Sequence, residues 1–214
     1  MTAPRRVTVI SPHPDDEAIG CGGTLLQHAA EGAEIQVIFL TSGEQGGHGM
    51  PAAETAARRE SEATTAAAIL GVSELEFWHE PDGTLTAHCG LIERLRSHME
   101  NFTPHRLYVT HPGEMHADHR AAARAVSRAL ASPLSGGAPP DVWMYEIWTP
   151  LSSPDEIVDI SNQAERKQEA IRAYVSQCAA MRFDEAALAL NRYRGEFHSW
   201  PGGDYAEVFA RMHL

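Results

Sequence analysis

Val7-Thr8-Val9-Ile10-Ser11-Pro12-His13-Pro14-Asp15-Asp16-Glu17 decides how this chain is read. The β-branched run 7–10 predicts a short strand. Behind it come an imidazole and adjacent carboxylates, and then Gly20-Cys21-Gly22-Gly23, which leads into a helical stretch over 23–31. His13, Asp15 and Asp16 therefore fall where a strand hands over to a helix. In an open α/β sheet that carboxyl end of a strand is where ligands bind. Histidine and aspartate are also ligand types of a catalytic zinc site. Taken alone, Asp15, Asp16 and Glu17 read equally well as acids favouring a helix N-terminus.

A second cluster, His116-Ala117-Asp118-His119, has the same setting. It follows the predicted strand Arg106-Leu107-Tyr108-Val109-Thr110 and precedes a predicted helix over 117–131. His116 and His119 stand three apart, so one helical turn projects both to one side. Two such clusters at carboxyl ends of parallel strands can meet on one edge of the sheet. Three of their side chains with an open fourth position would make a hydrolytic metal centre.

Between and beyond the clusters, short apolar runs alternate with alanine-rich helical stretches. That pattern predicts a Rossmann-like α/β fold, a mostly parallel sheet flanked by helices on both faces. Strands are expected at 34–40, 75–78 and 142–148, and a helix at 54–70 closed by Gly71. Leu91, Ile92, Leu95 and Met99 mark one helical face, and Ile171, Tyr174, Val175 and Cys178 another. Residues 41–49 read as a loop able to fold over a site, and 132–140 as the best linker candidate. Residues 1–214 read as one domain.

Composition narrows the partners. A net charge of −12 argues against nucleic acid, whose binders show a basic face. Three dispersed cysteines, Cys21, Cys89 and Cys178, with no CxxC pair fit a reducing compartment. The chain shows neither a signal-peptide core nor a membrane-length apolar run, so the expectation is a cytoplasmic protein without a membrane partner. The oligomeric state stays open, a homo-oligomer included. Cys21, beside the first cluster, reads as a small buried residue rather than a soft ligand.

The two clusters together resemble the LmbE-like (PIG-L) family of zinc-dependent N-deacetylases. The likeness extends through Arg59, Glu62 and Ile69-Leu70-Gly71, through Asp82-Gly83-Thr84-Leu85, and on to Tyr145-Glu146-Ile147-Trp148-Thr149-Pro150 and Tyr205-Ala206-Glu207-Val208-Phe209. Ala117 departs from it, standing where the family commonly has proline. The resemblance implies that His13, Asp16 and His119 hold the metal, zinc or another divalent ion such as Fe2+. It implies Asp15 as the general base and His116, protonated, as the group that stabilises the oxyanion, with Asp118 holding that histidine. Arg59 and Asp82 would face substrate, although Arg59 also reads as a surface salt bridge and Asp82-Gly83 as an ordinary turn. His111 reads as a structural neighbour of the second cluster, and Glu17 as a cap or an orienting group for His13.

The implied reaction removes an N-acyl group, usually acetyl, from an amino-sugar-containing small molecule. The short chain leans towards the bacillithiol-type or uncharacterised small members. Two rivals stand beside it: a zinc amidase cutting a thiol-conjugate amide, and a metal-binding protein without turnover. The second is disfavoured because metal binding alone needs neither Asp15 nor His116. A nucleotide-binding dehydrogenase is disfavoured because the glycines form no GxGxxG.

Overall fold

The computed structural model describes residues 5–135, 138–198 and 203–214. Seven strands form one sheet: β1 (Arg6–Ser11), β2 (Glu34–Phe39), β3 (Glu74–Phe77), β4 (Arg106–Thr110), β5 (Asp141–Tyr145), β6 (Glu156–Asp159) and β7 (Ala206–Arg211). Their order is β3-β2-β1-β4-β5-β7-β6. The first five are parallel, and β7 runs antiparallel to both β5 and β6. The expected mostly parallel α/β architecture is therefore present.

Helices α1 (Asp16–Ala30), α2 (Ala52–Leu70), α3 (Cys89–Phe102), α4 (Ala117–Ala129), α5 (Ala164–Arg172), α6 (Val175–Ala180) and α7 (Phe183–His198) connect the strands. Side chains alternate across a strand, so each strand feeds two cores. Val7, Val9, Ile35, Val37 and Phe39 meet Leu25 of α1, Ala66 and Leu70 of α2, and Ile171 of α5. Ile10, Ile38, Leu107 and Val109 meet Leu91, Leu95 and Met99 of α3 and Ala122 and Val126 of α4. Strand order reverses between β1 and β4, both of which continue into the histidine clusters. Ligands bind at such a switch point because the crossovers diverge there and leave a crevice.

Several boundaries differ from the sequence reading. Helix α1 runs from Asp16 to Ala30, so the stretch read over 23–31 is its second half, and Cys21 carries a kink (φ −140°, ψ 15°). The glycines lie inside the helix because it is packed closely: a Cβ at Gly20 would collide with the Tyr145 ring, and one at Gly23 would lie 2.7 Å from Ile160 Cβ. Cys21 is fully buried, as expected of a structural residue. Strand β5 stops at Tyr145, and Ile147 and Trp148 just beyond it line the site. The face marked by Ile171, Tyr174, Val175 and Cys178 belongs to two helices, broken where Tyr174 caps α6. Residues 136 and 137 of the linker candidate lie outside the described residues.

One buried ion pair ties the late elements to α1. Lys167 is fully buried, and its Nζ donates to Glu207 Oε1 (2.7 Å), Asn191 Oδ1 (2.8 Å) and Ile19 O (2.8 Å). Glu207 also accepts from the Gly23 and Thr24 amides, 2.8 Å each, and from Thr24 Oγ1 at 2.6 Å. Lys167→Met removes the cation and leaves the carboxylate buried, which costs about 3–5 kcal/mol. Chemical denaturation measures this, and a loss below about 1 kcal/mol, the worth of a surface pair, would contradict the tie.

Candidate metal and catalytic site

The loop after β1 and the start of α4 bring the two clusters together at the switch point. His13 Nδ1 lies 3.2 Å from Asp16 Oδ2, His119 Nε2 lies 3.2 Å from the same oxygen, and the two nitrogens are 3.3 Å apart. A tetrahedral zinc with bonds of about 2.0–2.1 Å sets its donors about 3.3–3.4 Å apart. The triangle thus has the donor types and the edge lengths of a three-residue metal site. All three residues are buried.

Two looser sets overlap it. His13, His116 and His119 can bring ligand atoms within 4.8 Å of one another, and so can His13, Asp82 and Asp118. The tight triangle is the better candidate because its three donor atoms stand 3.2–3.3 Å apart, and groups of the other two sets are engaged elsewhere. His116 Nδ1 accepts the Asp118 N–H (3.3 Å), and Asp118 accepts the amides of Gly83 (2.7 Å) and Leu85 (3.1 Å).

Groups behind the triangle fix its rings. His13 Nε2 faces Asp82 Oδ1 (3.1 Å) and Asp118 Oδ2 (3.2 Å). Two acceptors there place the proton on Nε2 of the neutral ring and leave the Nδ1 lone pair for a metal. Burial disfavours the His13 imidazolium, but bonds to Asp118, Asp16 and Asp82 outweigh it and hold its pKa well above the usual range. Burial acts the same way on His119, and the Asp16 carboxylate overcomes it, pushing the ring up to about 9. A proton and a metal compete for these nitrogens, so affinity rises with pH.

Asp15 stands beside the triangle and outside it. Its φ of 127° (ψ −30°) is a strained conformation for a non-glycine residue. Two side chains hold it: Glu17 Oε2 accepts its N–H (3.2 Å), and Arg59 Nη2 pairs with its Oδ2 (3.0 Å) while donating to the preceding Pro14 O (2.5 Å). Burial pushes the Asp15 carboxyl up to about 7 against the opposing pull of Arg59. Glu17 is held in turn by the hydroxyl of Tyr174, the residue that caps α6. The acid with no assigned step supports the backbone of Asp15.

Arg59 is buried, so the surface salt-bridge alternative falls away. It touches Gly43 O (3.0 Å) as well as Asp15, and Gly43 has a φ of 63° and no room for a Cβ against the guanidinium. Asp82 accepts the Gln45 N–H (2.8 Å), joining the 41–49 loop to the cleft, and Gln45 and His48 line the opening. The Asp118 carboxylate is directed at His13 and the 83–85 backbone, whereas its expected partner His116 meets only its backbone N–H. Burial, then the charges of His13 and His119, push the His116 pKa below its ordinary value. With Nδ1 accepting, the neutral ring carries its proton on Nε2.

Sequence reading missed Glu114. It accepts the amides of Ile147 (2.7 Å), Trp148 (3.1 Å) and Thr149 (3.3 Å), and its Oε2 lies 3.6 Å from His119 Nδ1. It therefore braces the 147–149 wall behind a candidate ligand. The signal was an acid between His111-Pro112-Gly113 and the second cluster. His111 Nε2 donates to Thr149 O (2.8 Å), a structural role as expected. Met181, Phe183 and Gln177 also line the cleft and carried no sequence signal.

An open α/β sheet with a His-Asp-His donor triangle and a flanking buried carboxylate at its switch point defines a metallohydrolase-like site. Residues 8–130 match the PIG-L family, GlcNAc-PI de-N-acetylase, and the chain belongs to that family. It is 30% identical over 193 residues, 84% of each chain, to a Bacillus anthracis protein named "Probable N-acetyl-alpha-D-glucosaminyl L-malate deacetylase 2". Its fold is similar to that of the conserved protein TT1542 from Thermus thermophilus (TM-score 0.83, 31% identity, covering 97% of this chain and 96% of that one). It is also similar to N,N'-diacetylchitobiose deacetylase from Pyrococcus horikoshii (TM-score 0.87, 25% identity, covering 97% and 84%). Among the described residues no helix is long and apolar enough to cross a membrane.

Proposed function

We propose that this protein is a zinc-dependent N-deacetylase that removes acetyl from an N-acetylglucosamine-containing small molecule. The observation that carries the reading is the 3.2–3.3 Å triangle of His13, Asp16 and His119 with Asp15 beside it and free of it. A divalent cation held there supplies Lewis acidity and lowers the pKa of water towards about 7. Names of relatives that act on N-acetylated sugars support the substrate class.

The chain's own residues take the remaining tasks. Asp15, with a carboxyl pushed up to about 7, is matched to accept a proton from the attacking water near neutral pH. His116 lines the cleft with Nε2–H available, so it donates a hydrogen bond to the oxygen where negative charge develops. It needs no net charge to do so. Asp118 holds the 83–85 turn and the His13 ring, and Asp82 shares the second task. Arg59 fixes Asp15 and the 43–46 loop at the substrate opening.

The test is release of acetate with an equal amount of free amine from a panel of N-acetylglucosaminides. Equimolar products are expected. If the panel yields none while thiol-conjugate amides are cut, the amidase rival replaces this reading. If no amide is cut by the metal-loaded protein, it is a metal-binding protein without turnover.

A further inference from the structure

The cleft at the metal triangle encloses about 280 Å³, and a second cavity of about 170 Å³ adjoins it. Ile19, Ile147, Trp148, Met181 and Phe183 line both, so the two share one apolar wall. Ala186, Ala187 and Leu190 of α7 continue that wall into the second cavity. The polar groups around it are already engaged. Glu146 pairs with Arg194 (2.6 Å) and accepts the Leu151 N–H (2.6 Å). Glu207 is bound by Lys167 and α1, and Asn191 donates to Ala206 O (3.0 Å) while accepting from Lys167. A slot of about 150 Å³ with such walls is enough for a benzene ring.

Charge points the same way. Asp15, Asp16 and Asp82 line the cleft, and among the described residues its only arginine or lysine is Arg59. Arg59 is spent on Asp15, Pro14 and Gly43, and among the described residues no arginine or lysine lines the second cavity. Arg182 pairs with Glu185, and Arg58 lines a separate depression beyond Gly46 and His48. A carboxylate or phosphate in the slot would be desolvated without a cation to meet it. An apolar group there gains from leaving water.

We propose that the substrate carries a neutral apolar aglycone about the size of one aromatic ring, seated between Ile19, Trp148, Phe183 and Leu190. This rests on the deacetylase reading above. An acetyl methyl needs no second cavity, which leaves the slot to the other end of the substrate. The Bacillus anthracis relative is named for an L-malate conjugate, a dicarboxylate, and the walls here suit the opposite chemistry.

The experiment compares kcat/KM for acetate release by the metal-loaded protein on phenyl, methyl and L-malyl N-acetylglucosaminides. Phenyl is expected about tenfold or more above methyl, mainly through KM, with L-malyl below methyl. Leu190→Trp fills the slot from α7 and brings the phenyl-to-methyl ratio near one; each ratio is taken within one protein, so a general loss of activity cancels. Equal phenyl and methyl values, or a preference for L-malyl, overturn the proposal. So does a gain for the N-hexanoyl methyl glucosaminide with none for phenyl, which would assign the slot to the acyl chain. Calorimetric binding of the deacetylated phenyl and methyl glucosaminides separates the two readings. If no glycoside yields acetate, the deacetylase reading fails; tighter phenyl binding by about tenfold still upholds the slot, and equal binding overturns it.

Discussion

Asp15→Asn is expected to keep the fold and the bound metal and to lower kcat for acetate release by about 10²–10⁴-fold. The substitution is isosteric, and asparagine tolerates positive φ better than most residues, so the strained backbone at 127° survives. The Glu17 contact to the Asp15 N–H and the Arg59 contact to its oxygen can both persist with an amide. What disappears is the basic carboxylate. Metal content, circular dichroism and kcat measured on the same preparation separate this from misfolding. Full activity with normal metal content would remove Asp15 from the role of base.

His119→Ala is expected to abolish tight metal binding and with it the activity. The residue is fully buried and forms one corner of the candidate triangle, 3.3 Å from His13 Nδ1. Glu114→Gln acts one step behind. It weakens the support of His119 and of the 147–149 wall, and a loss of about 10–100-fold in metal affinity is expected. Competition against a calibrated chelator orders the three proteins as wild type, Glu114→Gln, His119→Ala. Unchanged affinity in His119→Ala would exclude the triangle.

The sequence made the first four strands and the two clusters readable because short apolar, β-branched runs sit close to turn and helix signals there. Strand β1 and the acids behind it placed half of the site, and β4 with His116 and His119 placed the other half. The glycines early in α1 were visible, but not what they approach: the kinked helix needs them to pass close to Tyr145 and Ile160, which lie far off in sequence. Strand β6 (Glu156–Asp159) has only Ile157 and Val158 between two acids, too few apolar residues to mark a strand.

The partners of Asp118 were hidden for a different reason. Sequence proximity pointed to His116, but at the start of α4 its carboxylate reaches across to the 83–85 backbone and His13. Glu17 and Tyr174 show the same limit, a contact between residues 157 positions apart that no local pattern announces. The apolar slot is built from the α1, 147–148 and α7 segments, each an ordinary core pattern alone.

Titrating metal-free protein with Zn2+ while following acetate release from an N-acetylglucosaminide reads metal loading and turnover together. No release is expected at the start, then a linear rise and a plateau at one zinc per chain, with no plateau activity recovered in His119→Ala. Acetate released at full rate without metal, or one zinc bound per chain with no amide cut at all, would contradict the proposed function.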